Sequence, residues 1–201
     1  MNDAPPLDGP LLDGASGVEP ILDRDESWAR ISRWFEDARV RRWYGGESHR
    51  CTPAQARETY RRRAIGESPV RAAFITHERA PIGYVQFYRV DAPEEYQLPP
   101  EHDVSRTWAL DLFIGEPELW GRGIGGRIIE LLCAHLEHEL GAREILIDPR
   151  VENARAVRAY GRVGFEVVGR LRAYEEQDGV VHDGLLMRRL ASGAAGQNVE
   201  K

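Results

Sequence analysis

Seven residues, Trp120, Gly121, Arg122, Gly123, Ile124, Gly125 and Gly126, separate a run that alternates like a strand from a run with helical spacing. Ahead of them, Thr107–Ile114 puts Trp108, Leu110, Leu112 and Ile114 on one face and Thr107, Ala109, Asp111 and Phe113 on the other. Behind them, Ile124, Ile128, Leu131, Leu132, His135 and Leu136 mark the buried stripe of an amphipathic helix that Gly141 ends. A strand–glycine loop–helix junction offers free backbone N–H groups and the positive end of a macrodipole to an anion. Glycines let the backbone approach a phosphate closely. The loop lacks the Gly-Lys-Ser/Thr of a Walker A sequence, and its mid-chain place and spacing fit the dinucleotide fingerprint poorly. Taken alone, the same loop also reads as a purely structural turn.

The rest of the chain alternates helix and strand patterns without an internal repeat. A weak first strand lies near Val18–Leu22, and Trp28, Ile31, Trp34 and Phe35 predict an amphipathic helix over 25–38. Thr52 and Pro53 open a polar helix over 53–64. Val70–Thr76 and Ile82–Val90 read as strands joined by a turn at Arg79, Ala80 and Pro81. A polar loop over 91–105 follows. After the glycine loop and its helix come a short strand, Glu144–Asp148, a helix from Asn153 to about Val163, and strands near 165–171 and 181–190. Consecutive antiparallel hairpins mixed with helices predict an α+β fold rather than a doubly wound sheet. Residues 18–190 read as one domain between flexible tails at 1–17 and 191–201.

Composition excludes several classes. With 42% hydrophobic and 30% charged residues the chain is neither fibrous nor wholly disordered. No apolar run reaches the ~20 residues of a membrane span, and the N-terminus lacks a basic-then-apolar signal, so a cytoplasmic protein without membrane contact is expected. A net charge of −6 argues against a nucleic-acid partner. Lys201 is the only lysine, which removes a catalytic lysine from the fold. Cys51 and Cys133 read as two reduced thiols. The six histidines form no metal-ligand spacing, so no metal is expected.

About thirty residues beyond the glycine loop stand Asp148, Pro149, Arg150, Val151, Glu152 and Asn153, then Ala156, Tyr160, Gly164 and Phe165. A glycine loop at a helix start followed by N-x-x-A-x-x-x-Y-x-x-x-G-F resembles the GNAT N-acetyltransferase superfamily, over roughly residues 20–190. Within it the chain is most similar to the aminoglycoside 6′-N-acetyltransferases. The shared pieces are Trp43-Tyr44-Gly45-Gly46-Glu47, Ile82 to Tyr88 with Gln86, Leu110-Asp111, the glycine loop, and Asp148-Pro149 with Asn153. The family's loop usually opens on Gln or Arg, where this chain has Trp120.

The resemblance implies a mixed, mostly antiparallel central sheet flanked by helices and splayed where acetyl-CoA binds. It implies a diphosphate on the N–H groups of Gly121 to Gly126, with Trp120, Arg122 and Arg127 flanking. It implies a pantetheine arm along Leu112, Phe113 and Ile114, bonded by Asn153 and passing Ala156. Tyr160 would stand by the thioester sulfur as acid. Asp111, a carboxylate interrupting an apolar strand, would hold a cationic amine and take its proton. Asp148 would bind a second amine. Trp43, Tyr44, Glu47, Gln86, Glu94 and Glu95 would complete an acceptor site, and Tyr96 would stack on a sugar ring. Plainer readings stand beside these: an ion pair for Asp111, a turn for Asp148, a core aromatic for Tyr160, a helix cap for Asn153. Between Asp91 and Glu118 eight acids face one base, Arg106, which suits a polyamine or aminoglycoside acceptor but also suits a solvated loop. Related acylases of siderophore assembly tend to carry His where this chain has Asp111, and protein N-acetylation is a further alternative. No feature of the sequence speaks to oligomeric state.

Overall fold

In a computed structural model, residues 7 and 9–191 are described. The strands are β1 (Leu11–Asp13), β2 (Ser16–Pro20), β3 (Arg71–His77), β4 (Ala80–Arg89), β5 (Thr107–Ile114), β6 (Glu144–Ile147), β7 (Glu166–Gln177) and β8 (Val180–Leu190). The helices are α1 (Asp25–Trp34), α2 (Ala38–Arg41), α3 (Pro53–Ala64), α4 (Ile124–His138) and α5 (Ala154–Arg162). All eight strands form one open sheet in the order β1-β2-β3-β4-β5-β6-β8-β7. Every pairing is antiparallel except β5 with β6. The expected α+β architecture is therefore present.

That single parallel pairing builds the site. β5 and β6 are in register only over Thr107–Ala109 and Glu144–Leu146. Beyond that point β5 stays with β4 up to Ile114, while β6 follows β8 to Ile147. The sheet splits, and the β6-facing edge of β5 from Leu110 to Ile114 has no strand partner among the described residues.

Two apolar layers hold the sheet. On one face α4 buries Ile124, Ile128, Ile129, Leu132, Cys133 and Leu136 against Val85, Phe87, Trp108 and Leu110. Leu131 and His135, expected in this stripe, are only half-buried. Ile129 and Cys133 take their places because α4 also meets β1, β2 and α5, which widens its covered arc. On the other face Trp28, Trp34, Phe35, Tyr60, Tyr84 and Phe113 form an aromatic cluster under α1 and α3. Trp34 meets Phe74 and Phe113 edge-on at 5.7 and 5.8 Å, the favoured geometry of ring quadrupoles.

In four places the fold differs from what the sequence predicts. The stretch 1–17, read as a tail, contains β1 and the start of β2, turned at Gly14 in a left-handed conformation. Its polar, proline-rich composition hid Leu7 and Leu11, which pack on the core beside fully buried Val18. Residues 1–6, 8 and 192–201 of the two expected tails lie outside the described residues. The helix expected over 25–38 stops at Trp34, because the Asp37 carboxylate accepts the Arg39 N–H at 2.8 Å and caps a new short helix. The β3–β4 turn falls on Glu78 and Arg79, both with positive φ, so Ala80 and Pro81 already belong to β4. β7 runs six residues past the expected Leu171, through a bulge between Leu171 and Glu175. The helix over 53–64 forms as read, with a Thr52–Gln55 capping box.

Candidate active site

A cleft of about 830 Å³ fills the split between β5 and β6. It is lined by the end of β5 (Asp111, Leu112, Phe113, Ile114), by Trp120, Gly121 and Gly123 to Gly126, and by Trp43 and Tyr44. Its opposite wall carries Asp148, Asn153, Ala156 and Tyr160. Most residues singled out in the sequence thus converge on one place.

The glycine loop is open on its cleft side. Gly121 and Gly123 have φ of +77° and +80°, which a side chain rarely adopts. Gly125 has no such need and stands in the first turn of α4, where glycine costs helix stability. A Cβ built on Gly121, Gly123 or Gly125 meets nothing within 4 Å. Packing therefore does not demand glycine at 125. A cradle for phosphate oxygens does, since α4 begins here with its first N–H groups free. The residues present fit the diphosphate of a coenzyme A donor. Across the cleft, the Asn153 side-chain oxygen accepts the Ala156 N–H at 3.2 Å and caps α5. Among the described residues its amide N–H groups have no hydrogen-bond acceptor.

Two carboxylates flank the split. Gln86 on β4 donates to Asp111 Oδ2 at 2.8 Å. Gln86 Oε1 in turn accepts from Arg63 (2.8 Å) and from the Tyr84 hydroxyl (3.0 Å). Burial raises the Asp111 pKa, and the Gln86 amide and the Arg63 charge oppose that rise. Asp148 is pushed well above the usual carboxylate range by burial and then by the charge of Asp111, partly offset by a hydrogen bond from Tyr174. The two carboxyls titrate as a coupled pair, and each charge makes the other harder to form. Burial also holds the Tyr160 phenol above its ordinary pKa, with Asp111 and Asp148 adding to the effect. At neutral pH Tyr160 is therefore a neutral O–H.

A carboxyl with a raised folded-state pKa costs stability as pH rises through it, because the unfolded chain ionises without penalty. Asp148→Asn is accordingly expected to raise the melting temperature by roughly 3–6 °C at pH 8. The gain should shrink as pH falls toward the ordinary carboxylate range. Thermal melts across pH check this, and a loss of stability at pH 8 would contradict it.

Seven expected site residues lie elsewhere. Gln86 does not line the cleft but holds Asp111, as described. Arg122 and Arg127 are exposed outside it, because the turn of the loop and of α4 carries their side chains off the cleft side. Glu47 is exposed, with its carbonyl accepting from Arg41 Nε at 2.7 Å. Glu94 and Glu95 are exposed on the 3₁₀ turn Pro93–Tyr96 and do not line the cleft. Tyr96 is buried, its hydroxyl 2.8 Å from that of Tyr88, because it anchors this loop in a third apolar cluster. Two other acids of the same window are engaged by the N-terminal helices: Glu116 pairs with Arg33, and Glu118 with Arg39 at 2.8 Å. The sequence reading missed Tyr88, Arg150, Tyr174, Glu175 and the arginines Arg155, Arg158 and Arg162, all of which line the cleft. The three α5 arginines had a signal in their i, i+3, i+7 spacing. Tyr174 and Glu175 had none, lying beyond the strand as it was read.

A family model described as "Acetyltransferase (GNAT) domain" matches residues 23–173. The chain belongs to the GNAT acetyltransferase family. It is thus an acyltransferase. The chain is 27% identical over 148 residues to aminoglycoside N(6′)-acetyltransferase type 1 of Klebsiella pneumoniae, covering 74% of this chain and 73% of the relative. Spermine/spermidine N(1)-acetyltransferase of Bacillus subtilis is 32% identical over 80 residues, 38% of this chain and 52% of the relative. The solved structure of AAC(6′)-Ib with ribostamycin and coenzyme A superposes with a TM-score of 0.71 at 21% identity, covering 93% of this chain and 99% of the other. The GNAT fold of the chain is thereby shown. No described helix is long and apolar enough to cross a membrane, and no three metal-ligating side chains gather among the described residues.

Proposed function

We propose that this GNAT protein moves an acetyl group from acetyl-CoA to a primary amine of a small polycationic acceptor, with the 6′-amine of an aminoglycoside as the first candidate. One observation carries the reading: two half-buried carboxylates, Asp111 and Asp148, line the cleft on either side of the split of the sheet, beside an open amide cradle. Two such groups without a cation between them are costly, and a diamine relieves both. The names of the curated relatives, aminoglycoside and spermine acetyltransferases, support the same class of acceptor.

In this reading acetyl-CoA supplies the activated acetyl group. The amides of residues 121–126 take its diphosphate, and the free edge of β5 takes its pantetheine arm. Asp111 binds the acceptor ammonium and removes one proton. The freed nitrogen forms the new C–N bond at the thioester carbon, the C–S bond breaks, Tyr160 gives its proton to the departing sulfur, and the second proton shed by the acylated nitrogen restores the Tyr160 phenol. Asp148 holds a second amine. Because the Asp111 pKa is raised, it is a stronger base than an ordinary surface carboxylate.

Release of free CoA thiol, followed with kanamycin, a polyamine, a hydroxylamine and a basic peptide, tests the proposal. Turnover of kanamycin or the polyamine is expected. Turnover of the hydroxylamine alone, or of the peptide alone, would overturn the acceptor class. Gln86→Leu removes a hydrogen bond that favours ionised Asp111. The acid limb of the kcat/KM profile should therefore move to higher pH, with roughly tenfold less activity at pH 7. A pH profile superimposable on that of the parent enzyme would show that Gln86 does not hold Asp111 in its working state.

A further inference from the structure

Trp120 and Arg155 meet across the cleft. The Arg155 guanidinium carbon lies 3.9 Å from the centroid of the Trp120 ring. The indole is itself fixed, because its N–H donates to the Ile114 carbonyl at 2.9 Å and its ring packs on the aromatic cluster beneath α1 and α3. Trp120 thus has no donor left for a ligand, although it immediately precedes the amide cradle. Arg155 has donors to offer. Its guanidinium rests over the indole, and among the described residues its N–H groups have no hydrogen-bond acceptor. Among the described residues it makes no ion pair with a carboxylate, whereas Arg33, Arg39, Arg57, Arg61, Arg150 and Arg170 all do. Amide groups supply only partial charges, and a diphosphate is best met by a guanidinium in addition.

We infer that Arg155 is the side chain that contacts the diphosphate of the acetyl donor, and that Trp120 is a positioning residue that holds Arg155 over the cradle. The inference rests on acetyl-CoA being the donor.

Calorimetry on the purified full chain tests it with three probes: acetyl-CoA, acetyl-dephospho-CoA, and S-acetylpantetheine at millimolar concentration. Arg155→Gln is expected to weaken the first two by roughly 10–30-fold and to leave the third unchanged. Arg155→Lys should recover part of the loss. Trp120→Leu should weaken the first two by roughly 3–10-fold, and Trp120→Phe, which keeps a ring face, should rescue them. Equal loss for all three probes would mean a packing role and overturn the inference. So would no loss for any probe, or a loss confined to acetyl-CoA, which would assign Arg155 to the 3′-phosphate. Failure of the unmodified protein to bind acetyl-CoA would overturn the donor reading itself, an outcome distinct from these.

Discussion

Asp111→Asn is expected to lower kcat/KM for the acceptor by roughly 10²–10⁴ while leaving the Kd for acetyl-CoA within about twofold. The substitution keeps size, and Asn still offers an oxygen to the Gln86 amide that donates to Asp111 at 2.8 Å. What it removes is the negative charge and the basicity. Asp148 would then lose the repulsion that Asp111 exerts and ionise more readily, so that the acceptor still finds a carboxylate. The loss should therefore fall mainly in kcat, with KM changed less. Thiol-release kinetics beside calorimetry for acetyl-CoA separate the two effects. An unchanged rate would remove Asp111 from the chemistry. A parallel collapse of acetyl-CoA affinity would mean that the carboxylate supports the split of the sheet instead.

Gly125→Ala should separate stability from binding. Gly125 has ordinary helical φ, and an added Cβ meets no atom within 4 Å. Alanine favours the first turn of α4, so the variant is expected to gain about 0.5–1 kcal/mol of stability. The same methyl stands in the cleft, over the N–H groups that open α4. Displacing one or two charge-assisted hydrogen bonds should weaken acetyl-CoA by roughly 10–100-fold. Denaturant unfolding and calorimetry on one preparation check both. Unchanged affinity would mean that the donor's phosphates lie away from this turn. Lower stability would mean that Gly125 is there for the fold.

The parts of the site legible in the sequence were those with a local signature. The glycine loop announced itself by composition at a strand–helix junction, Asp111 by interrupting an apolar strand, and Asn153 and Tyr160 by their spacing on one helix. The split between β5 and β6 gave no such signal. It follows from strand pairing, which no local pattern reports, and it is what brings Asp148 to face Asp111. The acidic window from Asp91 to Glu118 misled for the same reason. Sequence proximity suggested one acceptor-binding loop, but the chain turns Glu116 and Glu118 toward Arg33 and Arg39 and leaves Glu94 and Glu95 outside the cleft. Trp120 looked like a defect in a motif, and only the packing of α5 against the loop shows the guanidinium of Arg155 resting on it. The β1–β2 hairpin was hidden by prolines and aspartates around a few apolar residues whose burial depends on α4 arriving from a hundred residues away.

A crystal structure with coenzyme A and an aminoglycoside bound together bears most directly on the account. The 6′-amine should lie within hydrogen-bond distance, about 3 Å, of the Asp111 carboxylate, with the diphosphate on the amides of residues 121–126. An acceptor seated with no amine near Asp111, or a coenzyme that bypasses the glycine loop, would contradict it.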